Sequence, residues 1–198
     1  MSFKSTALVF SLILAATSPV MAHSPIKGIG DFYSGFLHPL FVPAHLLLLI
    51  ALGLFIGQKG VRENNLSILV FFVSTVVGLI LSWFLVGNDI EIVLLGIAAS
   101  IGLLVVLNLT VGIYLSAMIA AIVGLCIGID SAQDTLLGRE KFITLLGSGI
   151  GINILYIYTT GLTNYLSDKT WQKIGIRIVA SWIVASSFLV IALSQSKL

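Results

Sequence analysis

Charged positions divide the chain into five uncharged stretches: Phe32–Gln58, Asn64–Asn88, Ile92–Ile129, Phe142–Ser167 and Ile178–Ser196. A helix needs about 20 apolar residues to cross a bilayer. The third stretch is therefore long enough for two helices, and Asn108-Leu109-Thr110 is the natural place for the turn between them. The pattern predicts six helices, near 37–57, 66–86, 90–107, 111–129, 142–161 and 173–194. A separate apolar run, Ala7 to Ala16, follows Lys4 and precedes Val20-Met21-Ala22. A positive start, a short apolar core and a small-residue end are the parts of a secretory signal. Residues 1–22 are read as that signal, with an uncleaved N-terminal helix as the rival. Cleavage after Ala22 makes His23 the mature N-terminus and leaves 23–198 as a single six-helix transmembrane domain.

Composition sharpens this picture. Only 9% of the 198 residues are charged and 58% are hydrophobic, with a mean hydropathy of +1.14. A soluble domain carries about 25% charged residues, so this chain lacks the surface of a soluble enzyme or a disordered protein. A formal charge of +2 gives no basis for binding nucleic acid. One cysteine, Cys126, excludes disulfide frameworks and Cys-based metal patterns. Nothing resembling a Ser–His–Asp set or an H-E-x-x-H motif occurs, and no enzyme activity is expected. The partner that the composition does demand is the lipid bilayer.

An even number of spans returns both termini to one side, and the signal places that side outside the cytoplasm. Lys59, Arg62, Lys169, Lys173 and Arg177 then fall on the cytoplasmic side, in keeping with the positive-inside bias. The outer segments carry Asp31, Asp89, Glu91, Asp130, Asp134 and Glu140 against Lys27, Arg139, Lys141 and Lys197. Such a surface is mildly attractive to cations. The expected location is the inner membrane of a bacterium. Small residues recur at four-residue spacing in Gly53/Gly57, Gly96/Ser100, Gly124/Gly128 and Gly147/Gly151, the spacing at which helices in lipid approach closely. Asn153 is read as packing glue or as lining a pathway. Tyr156, Tyr158, Tyr165 and Trp171 are read as an aromatic belt, and Cys126 as a small core residue.

The chemistry clusters early. His23, His38 and His45 are the only histidines. On a continuous helix His38 and His45 would share a face about 10 Å apart along the axis. Pro39 and Pro43 lie between them, freeing backbone carbonyls and bending the helix, which a membrane tolerates only where other groups satisfy the backbone. Imidazole inside a span is costly and points to function; neutral imidazole suits nickel, zinc and copper. The competing reading is that His38 caps a helix start and His45 bonds a neighbouring helix.

Gly35-Phe36-Leu37-His38-Pro39-Leu40, then His45-Leu46-Leu47 and an apolar run ending Gly53-Leu54, resemble the HupE/UreJ family, whose first span reads roughly H-P-L-x-G-x-D-H-L-L-A-M. The Arg177-Ile178-Val179-Ala180-Ser181-Trp182 stretch is also similar. The resemblance implies a small permease for nickel or cobalt that serves hydrogenase or urease maturation. Two departures stand out. Val42-Pro43-Ala44-His45 replaces Gly-x-Asp-His, so the acid next to the histidine is missing. Ile127-Gly128-Ile129-Asp130-Ser131-Ala132-Gln133-Asp134 stands where the family has a second motif resembling H-G-x-A-H-G-x-E, and both of its histidines are absent. Only His38, His45 and Asp134 carry over by position; Asp130 is an acid that the pattern lacks.

Asp130 and Asp134 are one helical turn apart, facing the mouth of the bundle or lying in a solvated outer loop with Arg139. At the mouth, opposite His38, they shift preference towards manganese, cobalt or zinc. The expected function is passage of a divalent transition-metal ion, met by His38, His45, His23, Asp130, Asp134 and Asp31. The ion is cargo, with no permanently bound cofactor. The alternative is a non-transporting accessory subunit of a larger membrane complex. Either reading admits a metalloenzyme maturation system as partner and leaves a homo-oligomer open.

Overall fold

The break in the first apolar stretch is set by proline. Pro43 bars Val42 from helical backbone, and Val42 adopts φ −88°, ψ 110°. Pro43 itself suits the first position of the next helix, where its missing N–H is not needed. In the computed structural model, which describes residues 29–85, 90–109, 111–133 and 135–195, the predicted first helix is therefore two. α1 (Asp31–Phe41) and α2 (Pro43–Gly57) meet at a bend of 68°. The remaining helices follow the predicted order: α3 (Asn65–Leu81), α4 (Glu91–Val106), α5 (Ile113–Asp130), α6 (Gly138–Tyr165) and α7 (Thr170–Gln195). The described residues form seven helices and no strand. Asn108 marks the expected turn between α4 and α5 by taking a positive φ of 52°, a conformation that Asn tolerates better than most residues. The signal segment and His23 lie outside the described residues.

Length and composition equip α5, α6 and α7 to cross a membrane, and the bent pair α1–α2 passes the same test as a unit. α3 and α4 are apolar but shorter, at 17 and 16 residues. A helix that is apolar all round belongs in the interior, and α2 is that helix: Leu48, Leu49, Ala51, Leu52, Phe55 and Ile56 are fully buried. α4 and α6 flank it, α7 packs on α4, and α3 packs chiefly on α5.

Glycine makes these contacts close. α1 lies along α6 in the same direction, with Gly147 under Phe32 and Gly151 under Phe36. Ser148 Oγ donates to Gly35 O at 3.1 Å across that seam. Gly53 and Gly57 receive Thr159 and Thr163 of α6, while Gly124 and Gly128 of α5 meet Phe71, Thr75 and Gly78 of α3. The fourth predicted pair does not pack. Gly96 faces open space, and Ser100 is exposed with its hydroxyl on Gly96 O. One aromatic also differs from expectation. Tyr158, Tyr165 and Trp171 are exposed, but Tyr156 is buried against Phe71, ring centroids 4.1 Å apart; it joins α6 to α3 and is not part of a belt.

Gly151→Ala puts a methyl group into the Phe36 backbone, where neither side can give way. It is expected to cost about 1–3 kcal/mol, read as a lower unfolding midpoint in detergent. Gly96→Ala should leave the midpoint unchanged or raise it slightly, because Ala favours helix. Equal midpoints for the two variants would contradict this packing.

Candidate functional site

The bend at Val42 changes the geometry expected for the two histidines. His38 sits in the last turn of α1 and His45 in the first turn of α2. On a straight helix they would be about 10 Å apart along the axis. Instead, the turn of the chain brings their rings edge to face, with centroids 5.3 Å apart and planes at 81°. Both residues are buried, at 3% and 0% exposure.

The third member arrives from α5. Asp130 is that helix's last residue, and its Oδ2 lies 2.8 Å from His45 Nε2. The side chains are 3% and 0% exposed. A carboxylate at a helix C-terminus faces the negative end of the helix dipole, and burial removes water as a counterweight. His45 offsets both costs with one hydrogen bond. The other ring nitrogen, Nδ1, is buried without a hydrogen-bond partner among the described residues. Ser131 and Gln133, just beyond Asp130, are buried as well, with Ser131 Oγ donating to Ile127 O at 2.7 Å.

Of the residues singled out from sequence, the structure thus gathers His38, His45 and Asp130. It overturns the solvated-loop reading of Asp130, which is 6% exposed. Asp31 opens α1 two turns from His38 and does not join the group. Among the described residues no set of three or more His, Cys, Asp or Glu side chains has the geometry to hold a metal ion. His23 and Asp134 lie outside the described residues. Asn153 is a packing group in its hydrogen bonding, donating to Gly149 O at 2.8 Å, although it also lines an apolar groove of about 640 Å³ between α3 and α6. Cys126 is half-buried and unbridged. The competing sequence reading, that His45 bonds a neighbouring helix, is what the structure shows, whereas His38 sits in a helix's last turn and does not cap a start. What sequence reasoning missed is the partner of His45, Asp130. Asp130's place at the end of an apolar stretch was its only signal.

At the opposite end of α2, Lys59 places its ammonium 4.2 Å from the centre of the Phe55 ring, and burial pulls its pKa below the ordinary lysine value. It borders a small polar pocket with Gln58, Glu63, Asn64 and Asn108.

A family profile described as "HupE / UreJ protein" matches residues 11–190. No curated protein and no solved structure gives a match.

Removing either member of the buried pair strands the other. His45→Ala and Asp130→Ala should each destabilise the protein, and the double variant should cost less than the two summed. A coupling of about 1–3 kcal/mol is expected from a double-mutant cycle of unfolding in detergent. Additive costs would show that the two groups do not interact.

Proposed function

The chain belongs to the HupE/UreJ family, and on that premise we propose that it is a membrane permease for a divalent transition-metal ion, nickel or cobalt, met first by His38 and His45. The family is associated with accessory transport of nickel and cobalt. The observation that carries the reading is the burial of two imidazoles edge to face at a proline-made bend, with a carboxylate behind one of them. Polar groups in a span are retained at a cost and mark pathways, and imidazole nitrogen suits nickel, cobalt and zinc better than harder ions. His23, Asp31 and Asp134 are proposed as further donors during entry. Metal ligands shared with water or with those groups would complete a coordination that two imidazoles cannot fill.

The proposed topology has six crossings. α1 and α2 form one bent span, and α3 to α7 form the other five. α3 and α4 are somewhat shorter than the roughly 30 Å hydrocarbon core at 1.5 Å per residue, a mismatch that a bilayer absorbs by local thinning. With the signal cleaved, both termini lie outside the cytoplasm of a bacterium and the site faces outward. Transport is passive or driven by an ion gradient, and it supplies a metalloenzyme assembly system. One observation favours the alternative of a non-transporting accessory subunit: no three-donor group occurs among the described residues.

Purified protein in sealed vesicles should accumulate radioactive nickel or cobalt down an imposed gradient. His38→Ala or His45→Ala should reduce uptake to that of protein-free vesicles while the variants remain inserted and helical. Uptake absent from the unaltered protein, or unaffected by both substitutions, would decide for the accessory subunit.

A further inference from the structure

His45 has two ring nitrogens, and the fold uses them differently. Nε2 lies 2.8 Å from Asp130 Oδ2. With Asp130 ionised, its oxygen can only accept, and the hydrogen of this bond then belongs to Nε2. A neutral ring then carries its lone pair on Nδ1, the atom that is buried without a hydrogen-bond partner among the described residues. An orphaned polar atom in a dry interior is costly, and such atoms call for an explanation. Imidazoles that bind metals characteristically donate their second N–H to a carboxylate, which fixes the tautomer and the ring orientation.

We propose that Asp130 is a positioning residue: by accepting the Nε2 hydrogen of His45 it presents the Nδ1 lone pair as that ring's donor to a divalent transition-metal ion, and it does not ligate the ion itself. The assignment rests on the permease reading for the identity of the ligand, but its tautomer half stands apart from transport. It also makes a chemical distinction. If Asp130 were a ligand, the site would be rich in oxygen and open to manganese. With Asp130 behind His45, the ion meets nitrogen from both histidines, a set that suits nickel, zinc or copper better than manganese. Positions on α5 thus set selectivity through α2 without touching the ion.

The test is nitrogen NMR of the whole protein in lipid nanodiscs, with ¹⁵N-labelled histidine and resonances assigned through single His variants. Without metal, the His45 ring is expected to show a protonated Nε2 and an unprotonated Nδ1. Added zinc should shift Nδ1 and leave Nε2 protonated. Asp130→Leu should mix the two tautomers and weaken zinc and nickel binding about 10–100-fold, the usual cost of losing such a carboxylate. Asp130→Asn, which preserves shape and can still accept from Nε2, should hold the tautomer and bind more tightly than Asp130→Leu. The Asn variant guards against a Leu variant that merely misfolds. A protonated Nδ1 in the unaltered protein, or zinc ligated through Nε2, would overturn the positioning role whatever the transport result. The expected tautomer with no response to zinc, nickel or cobalt would instead overturn the permease reading, and with it the donor role of Nδ1.

Discussion

A carboxylate held out of water at the negative end of a helix needs a partner, and nearly everything about this site follows from how the fold supplies one. Asp130 ends α5, where neither solvent nor the helix dipole favours its charge. His45 can reach it only because the chain breaks helix at Val42 and starts again at Pro43. The same break turns α1 aside by 68° and folds His38 back against His45. Bend, ring pair and the His45–Asp130 hydrogen bond are one construction. Its backbone costs are met locally: Val42 N still donates to His38 O at 3.1 Å, and Leu46 N to Val42 O at 3.0 Å.

The bent segment is held in place by a different kind of contact. Lipid offers no hydrophobic reason for helices to associate, so close backbone approach takes over. α1 rests on α6 through Gly35, Gly147 and Gly151, positions at which a Cβ would collide with the facing backbone. The continuation of the same chain, α2, rests on α6 through Gly53 and Gly57. One long helix therefore carries both arms of the bend. The angle that joins the two histidines is fixed along its whole length and does not depend on the prolines alone.

Much of this was legible in the sequence, for reasons that particular residues make clear. Uncharged stretches separated by charges located every helix after the first break, with ends off by as much as five residues at Leu81, because burial in lipid leaves little freedom in composition. Asn108 marked its turn. The four-residue spacing of glycine found three of four helix seams; it failed at Gly96, because spacing cannot say which face of a helix is covered. Tyr156 was misjudged on the same ground, since an aromatic near a helix end serves a belt or a core equally well. The site was half legible. His38, His45 and Asp130 each stood out as polar groups in apolar surroundings, but a bend angle and a contact across 85 residues of chain leave no trace in spacing. The two departures from the family pattern, Ala44 in place of an acid and Asp130 where none is usual, read from sequence as separate losses and gains. In the fold they are complementary, because the carboxylate beside the histidine comes from α5.

That relocation has a mechanical side. α3 packs chiefly on α5, and the pair touches the other helices much less. Two contacts stand out where it does. Phe71 of α3 lies on Tyr156 of α6, and Asp130 of α5 holds His45 of α2. The first is an apolar contact between large rings, insensitive to what happens at the histidines. The second ends on the very ring proposed to meet the ion. An acid next to His45 on α2 would have kept the site within one segment. Drawn from α5, it makes the imidazole proposed to take the ion one of the contacts that join the α3–α5 pair to the rest of the bundle. α3 and α6 also border an apolar groove of about 640 Å³.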